Sequence, residues 1–518
     1  MSNAPDVPRA RKRPRVSPPP ARGPNPAAAA SAPPPDSELR PLVPPASTSN
    51  SNLRAVMHES LATISIERPA TYSASPPAHS TFQLPRHLAS FSYGPRRELV
   101  LDREARDQSL AVYREPRLGQ DLNTGFDEAV WRDGTVDEGL DALLKTLSHY
   151  AASDPTGAVD DMLDKVAVIT WRGMMTKLML AVYEAEAAAS RAGASQRAEG
   201  WEMNAMLVEG CLYLEESNPP SKLAAKTASE TSFARQSYYG YSFESFCTTP
   251  PPGREPRDEP SRIDGSEFSV PNTNVQWCSV VKTNLGGFRS IIGGEVDCVR
   301  PGTNLDAIQT HDFIELKTNI AIQSTRDEAN FERQKLLKHY VQSFLLGVPT
   351  ITVGFRTRPG ILTGLQTFRT LEIPRLVRGK PHAWDPKAAL SCARSLVCFI
   401  HQTLSQHARS NDAMPHGNED GDDDARAAYP VFRVSFDPRG GGGGGGGGGG
   451  RGATVSIRRV GRDEVERDVV GAKPPGVERL GFLLKSWVDE VERRRRRERK
   501  VVVEAEKGSA VGEGRIQR

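Results

Sequence analysis

Cysteine is scarce and scattered in this chain. The 518 residues hold six, Cys211, Cys247, Cys278, Cys298, Cys392 and Cys398, with no C-x-x-C pair and no histidine nearby at zinc-ligand spacing. That spacing argues against a structural zinc site and offers no disulfide framework, so reduced thiols are expected. Long apolar runs are missing too. No stretch of about 18 apolar residues occurs, and the opening "MSNAPDVPRARKRPRV" lacks the apolar centre of a secretory signal. A membrane partner is therefore not expected, and an intracellular location is. Strong net charge is also absent. The formal value of +3 is unevenly spread: residues 1–40 carry seven basic and three acidic groups, and residues 491–518 carry ten and five. The remainder, residues 41–490, holds 50 basic and 56 acidic residues, so the body is mildly acidic. A generic basic groove for nucleic acid is not what such a body offers. If it binds phosphate, something else must supply positive charge.

Organisation follows composition. Residues 1–80 are rich in Pro, Ala and Ser ("SPPPARGPNPAAAASAPPP") and are expected to form a disordered tail. Within it, the cluster Arg9 to Arg15 ("RARKRPR") has the character of a nuclear-localisation signal, which predicts a nuclear protein. From Phe82 the pattern becomes globular. Helical spacing is read in "LDALLKTLSHYAA", "VAVITWRGMMTKLMLAVYEAEAAA", "RDEANFERQKLLKHYVQSFLLGV" and "AALSCARSLVCFIHQTLSQHA". Extended chain is read in "AMLVEGCLYLEE", "SYYGYSFESF", "FRSIIGGEVDCV", "DFIELKT", "TITVGFRT" and "LTGLQTFRTLEI". Eleven glycines, Gly440 to Gly450, read as a flexible insertion between two strands, with an acidic loop before it; together they span 411–452. Interleaved strands and helices predict one large mixed α/β domain over 81–490. A basic tail, 491–518, follows it.

The stretch "IIGGEVDCVRPGTNLDAIQTHDFIELKTN" carries the chemistry. Side chains two apart on a strand share a face, so Glu295 with Asp297, and Glu315 with Lys317, each form a charged pair on an otherwise apolar run. A structural sheet has no evident use for this. Two carboxylates at 4 Å repel by about 4 kcal/mol at an effective dielectric near 20. Hard divalent cations relieve such repulsion, since Mg²⁺ and Mn²⁺ take oxygen ligands. Two such ions clamp the attacking and leaving oxygens of a phosphoryl displacement. A lysine beside them can orient water and balance charge growing on phosphate oxygens. The pattern Glu295-x-Asp297, then Glu315-x-Lys317, resembles the PD-(D/E)xK nuclease core.

Further segments narrow the resemblance. "GYSFE" ends on the aromatic-flanked acid Glu244, "WRGMMTK" supplies Arg172, and "YVQSFLLGVPTITVGFR" places Gln342 after the acid-x-Lys strand. Together these resemble the DXO family of RNA decapping nucleases, whose fungal nuclear members partner a 5′→3′ exoribonuclease. The resemblance implies a PD-(D/E)xK-like core, two divalent cations, Mg²⁺ or Mn²⁺, and action on RNA 5′ ends lacking a proper methylated cap. It implies pyrophosphate release from 5′-triphosphate RNA, removal of unmethylated cap dinucleotides and removal of NAD caps. By the same resemblance Glu295, Asp297, Glu315 and the Leu316 carbonyl would hold metal, with Glu244 binding it directly or through water. Arg172 would grip an RNA phosphate, and Lys317 and Gln342 would position water or the scissile phosphate. No histidine is assigned to catalysis, and Tyr241 and Phe243 are expected in the core. Two other readings fit the same residues: a DNA-directed nuclease, and a non-catalytic partner that stabilises an exoribonuclease.

Overall fold

Runs rich in Val, Ile, Thr and aromatics pair into two mixed sheets, as their β-propensity favours, and Arg479–Leu480 with Leu483–Leu484 add a separate two-stranded one. In this computed structural model the described residues are 53–56, 61–66, 81–189, 200–251, 268–412, 429–440 and 452–513. The larger sheet has eleven strands, the smaller six. Four central strands of the larger sheet matter most here. Phe288–Glu295 pairs antiparallel with Gln276–Leu285 on one side and parallel with Val168–Trp171 on the other, and Cys211–Glu216 pairs parallel with Val168–Trp171. In the smaller sheet, Phe313–Ile320 lies between Cys298–Val299, antiparallel, and Thr350–Arg356, parallel. The parallel step is bridged by a helical crossover of three pieces: Thr325–Asn330, a π-helical turn Phe331–Leu336, and Leu337–Leu346. It ends at Gly347, whose φ of 72° is the left-handed cap expected at that Gly.

The chain changes sheets just after Glu295. That residue closes a strand of the larger sheet, and Cys298 already belongs to the smaller one. The buried core follows both sheets, with Ile292, Phe313, Val341 and Ile351 fully enclosed between strands and crossover helix. The described residues all fall in one unit, in keeping with a single large domain.

Several local expectations are corrected. "SYYGYSFESF" is not extended; it completes the long helix Pro220–Phe246. The four-residue alternation of Y-S-F-E is too short to decide. Over ten residues the buried set Tyr239, Ser242, Phe243 and Phe246 has helical spacing. "VAVITWRGMMTKLMLAVYEAEAAA" splits in two: Val168–Trp171 is a strand, and the helix begins only at Arg172. The span 1–80 is not tail throughout. Leu53–Val56 and Ala62–Ile66 extend the larger sheet, with Ala62, Ile64 and Ile66 buried on one face in the alternation of "ATISI". At the other end, the helix Lys485–Glu513 begins inside the expected domain and continues past 490. Arg494, within the arginine run, is buried against Glu490 and Asp164 instead of solvated. The strands Phe432–Asp437 and Thr454–Arg459 are antiparallel neighbours, as expected of a pair separated by an insertion. The cluster Arg9 to Arg15, the acidic loop 413–428 and Gly441 to Gly450 lie outside the described residues.

Candidate active site

The switch between sheets gathers Arg172, Glu295, Asp297, Glu315 and Lys317. Asp297 sits in the link between strands, so it does not share a strand face with Glu295 as expected. Because Cys298 pairs with Ile314, the link runs beside the start of Phe313–Ile320. The Leu316 N–H accordingly donates to Asp297 Oδ2 at 2.6 Å. Glu315 and Lys317 do share a face, two apart on one strand, and Lys317 Nζ lies 2.6 Å from Glu315 Oε1 and 3.6 Å from Asp297 Oδ2. The same ammonium donates to the Leu316 carbonyl at 3.0 Å.

Arg172 reaches the cluster from the other sheet. As the first residue of its helix, directly after a strand parallel to Phe288–Glu295, it projects toward that strand's end. Its Nη1 donates to Glu315 Oε2 at 3.1 Å and to the Glu295 carbonyl at 3.4 Å. Close approach needs glycine here: a Cβ on Gly294 would stand 3.2 Å from the Cβ of Arg172 and closer still to Leu346. The preceding residue, Trp171, is not a stacking partner for this cation; its indole N–H donates to the Gly139 carbonyl at 2.7 Å and so fixes the strand end from which Arg172 departs.

Glu244 arrives on the last turn of Pro220–Phe246, a helix that packs on Phe313–Ile320. Phe243, fully buried, presses its ring on the backbone of Gly354 in the neighbouring strand. Tyr241 is not in the core as expected; it is exposed. Gln342 is half-buried on Leu337–Leu346, one turn past His339.

Charge decides what this arrangement can do. Four carboxylates, Glu244, Glu295, Asp297 and Glu315, share a buried region with two cations, Arg172 and Lys317. Burial alone would push the Glu315 carboxyl up, but Lys317 and then Arg172 outweigh it and hold it down to about 2. Burial raises Glu244 well above the usual carboxylate range, and Asp297 and Glu295 raise it further. Asp297 is likewise pushed up by burial, with Lys317 offsetting part of the effect and Glu315 adding to it. Glu315 thus stays ionised, while burial and like-charge repulsion make Glu244 and Asp297 hold their protons unless a further cation arrives.

Oxygen donors in excess of local cations suit a hard divalent ion. The ligands do not, however, form a finished cage: among the described residues no three His, Cys, Asp or Glu side chains gather into a ready metal-binding set. Lys317 and Arg172 instead take up the Glu315 oxygens. Donor type and charge balance fit a divalent cation, while binding one requires these ion pairs to loosen.

One residue escaped the sequence reasoning. His339 is buried, makes no hydrogen bond through either ring nitrogen, and lies within electrostatic reach of Lys317 and Glu315. Burial, then Lys317, lowers it to about 3, so it is neutral. Its i−3 relation to Gln342 was the available signal, since residues three apart on a helix are neighbours.

An acid-x-lysine strand in a mixed sheet, an acidic link leading into it and a strand-to-helix arginine define a nuclease of the PD-(D/E)XK class. The chain belongs to the RAI1-like PD-(D/E)XK nuclease family, whose model matches residues 83–442. A decapping nuclease RAI1 from Mycosarcoma maydis is 35% identical over 491 residues, covering 82% of this chain and 89% of that protein. The human decapping and exoribonuclease protein is 33% identical over 340 residues, covering 65% of this chain and 79% of its own length. Among solved structures, Candida albicans Rai1 in complex with pU5 and Mn²⁺ superposes with a TM-score of 0.59 at 22% identity, covering 81% of this chain and 97% of that one. This last likeness bears on the fold. The chain is a hydrolase, a decapping nuclease acting on RNA.

Proposed function

We propose that this chain is a metal-dependent quality-control enzyme for RNA 5′ ends. It removes pyrophosphate from 5′-triphosphate RNA, releases incomplete caps and removes NAD caps. It acts in the nucleus and activates a 5′→3′ exoribonuclease there. The observation that carries the catalytic part is the buried Glu315 with the half-buried Lys317, Asp297 and Arg172, linked by ion pairs of 2.6–3.6 Å. Support for the nuclear and partner parts comes from the family resemblance and from the basic cluster Arg9 to Arg15.

In this reading Glu295, Asp297, Glu315 and the Leu316 carbonyl hold Mg²⁺ or Mn²⁺, with Glu244 completing the set. Bound there, the metal supplies Lewis acidity and activates water for attack at phosphorus. Arg172 grips a phosphate with its planar fork, a role that lysine fills poorly. Lys317, charged at neutral pH because Asp297 and Glu315 outweigh its burial, offsets charge growing on the phosphate oxygens and keeps Glu315 ionised. Gln342 positions the water or the scissile phosphate. No group of the chain bonds covalently to the substrate.

The test is mass analysis of products from RNAs bearing triphosphate, unmethylated cap or NAD at the 5′ end, with Mg²⁺ or Mn²⁺. The paired change Glu295→Ala and Asp297→Ala should abolish release from all of them and leave exoribonuclease binding intact. Unchanged release with lost exoribonuclease binding would instead make the chain a non-catalytic stabilising partner.

A further inference from the structure

Tyr241, three residues before Glu244 on the same helix, belongs to a set of aromatic rings that the chemistry above does not use. Trp131 and Tyr241 are among the exposed large side chains, at 42% and 36% of full exposure. They meet edge to face with ring centres 6.1 Å apart and planes at 82°. Tyr238 backs Trp131: its ring contacts Trp131 at 6.2 Å and Phe126 at 5.2 Å, and its hydroxyl donates to the Thr124 carbonyl. The Arg235 guanidinium covers Phe126 at 4.3 Å. These contacts fix the rings without burying the outer pair.

The exposed pair, set against the buried Tyr238, presents ring surface to water, and single-stranded RNA offers the complementary surface. Tyr241 precedes Glu244 by three residues on one helix, so it lies about 4.5 Å along the axis and on a neighbouring face. Local charge argues against a phosphate contact: Asp127, Glu128 and Asp133 flank these rings as well as Arg132 and Arg235. What the patch presents is ring surface, which matches the π-face of an unstacked base.

We infer that Trp131 and Tyr241 form a stacking platform for a base of the RNA strand whose 5′ end enters the acidic cluster. This rests on the RNA 5′-end reading above, and a base rather than a phosphate is the group recognised. The platform holds the strand without choosing its sequence, since every base has a π-face.

The full-length chain is titrated, in chelator so that nothing is cleaved, with a labelled five-nucleotide 5′-monophosphate RNA and with its abasic counterpart. The paired change Trp131→Ala and Tyr241→Ala should weaken binding of the base-bearing RNA by about 5-fold or more, the effect of losing one stack, and alter abasic binding by less than about 2-fold. Trp131→Phe with Tyr241→Phe keeps the rings and should retain affinity. Trp131→Phe alone should lower the RNA-induced quench of tryptophan emission. Wild-type affinity in the alanine pair, an equal loss on abasic RNA, or an unchanged quench in Trp131→Phe would each overturn the platform. Pyrophosphate release by the wild-type chain is read separately, so failure of the enzymatic reading shows as absent release whatever the binding result.

Discussion

Lys473→Met should be among the most damaging single changes outside the active site, and the structure says why. Lys473 Nζ lies 2.7 Å from both Asp137 Oδ2 and Glu215 Oε2, and the side chains of Lys473 and Glu215 are each 1% exposed. Solvent screens neither. Removing the ammonium leaves a buried carboxylate uncompensated, which costs about 3–5 kcal/mol. Even with Lys473 present, burial pushes Glu215 up to about 7. A carboxyl raised in this way contributes stability that is full below its ordinary value near 4.5 and is lost as pH rises through about 7. That rise of about 2.5 units corresponds to roughly 3 kcal/mol across the window. Without Lys473 the Glu215 value climbs further and the window widens upward. Urea unfolding at pH 8 should therefore show the full loss in Lys473→Met, with partial recovery at pH 5.5. Adding Glu215→Gln should restore part of the stability at pH 8. Wild-type stability of Lys473→Met at pH 8, or no rescue by the second change, would refute a charge-driven loss. The consequence reaches the active site. Asp137 precedes Gly139, whose carbonyl accepts from the Trp171 indole beside Arg172, so a loosened cluster should also lower activity at elevated temperature.

Two further outcomes follow from the site itself. Gly354→Ala places a methyl group against the Phe243 ring; such overpacking costs about 1–3 kcal/mol, and displacement of the Glu244 helix should reduce kcat more than KM in RNA hydrolysis. Asp297 and Glu244 are both raised by burial, so without metal their stability contribution is full at acid pH and falls as pH rises, for Asp297 through about 7. A divalent cation binds the ionised forms, so Mn²⁺ at one hundred times its Kd should add about 2.7 kcal/mol at pH 8 and much less at pH 5.5. Calorimetry showing equal stabilisation at both values would refute this.

Part of the candidate site's geometry was legible because the acid-x-Lys pair is local. Glu315 and Lys317 share a face through the two-residue period of a strand, and no distant contact is needed for that. The helix "RDEANFERQKLLKHYVQSFLLGV", its stop at Gly347 and the strand pair around the polyglycine were likewise set by nearby residues. What depends on long-range pairing was not legible. Asp297 faces Leu316 only because one chain segment crosses from one sheet to the other between Glu295 and Cys298. Glu244 reaches the cluster from a helix, not a strand, because four residues of alternation cannot outweigh helical burial over ten. Lys473, Asp137 and Glu215 lie up to 336 positions apart in sequence, and no periodicity marks them. Local patterns fix which atoms can do chemistry, since strand and helix periods act over a few residues. Tertiary packing alone determined which carboxylates meet, which lose their water and which cations compete with a metal for them, because burial and Coulomb energy depend on neighbours that sequence order does not name.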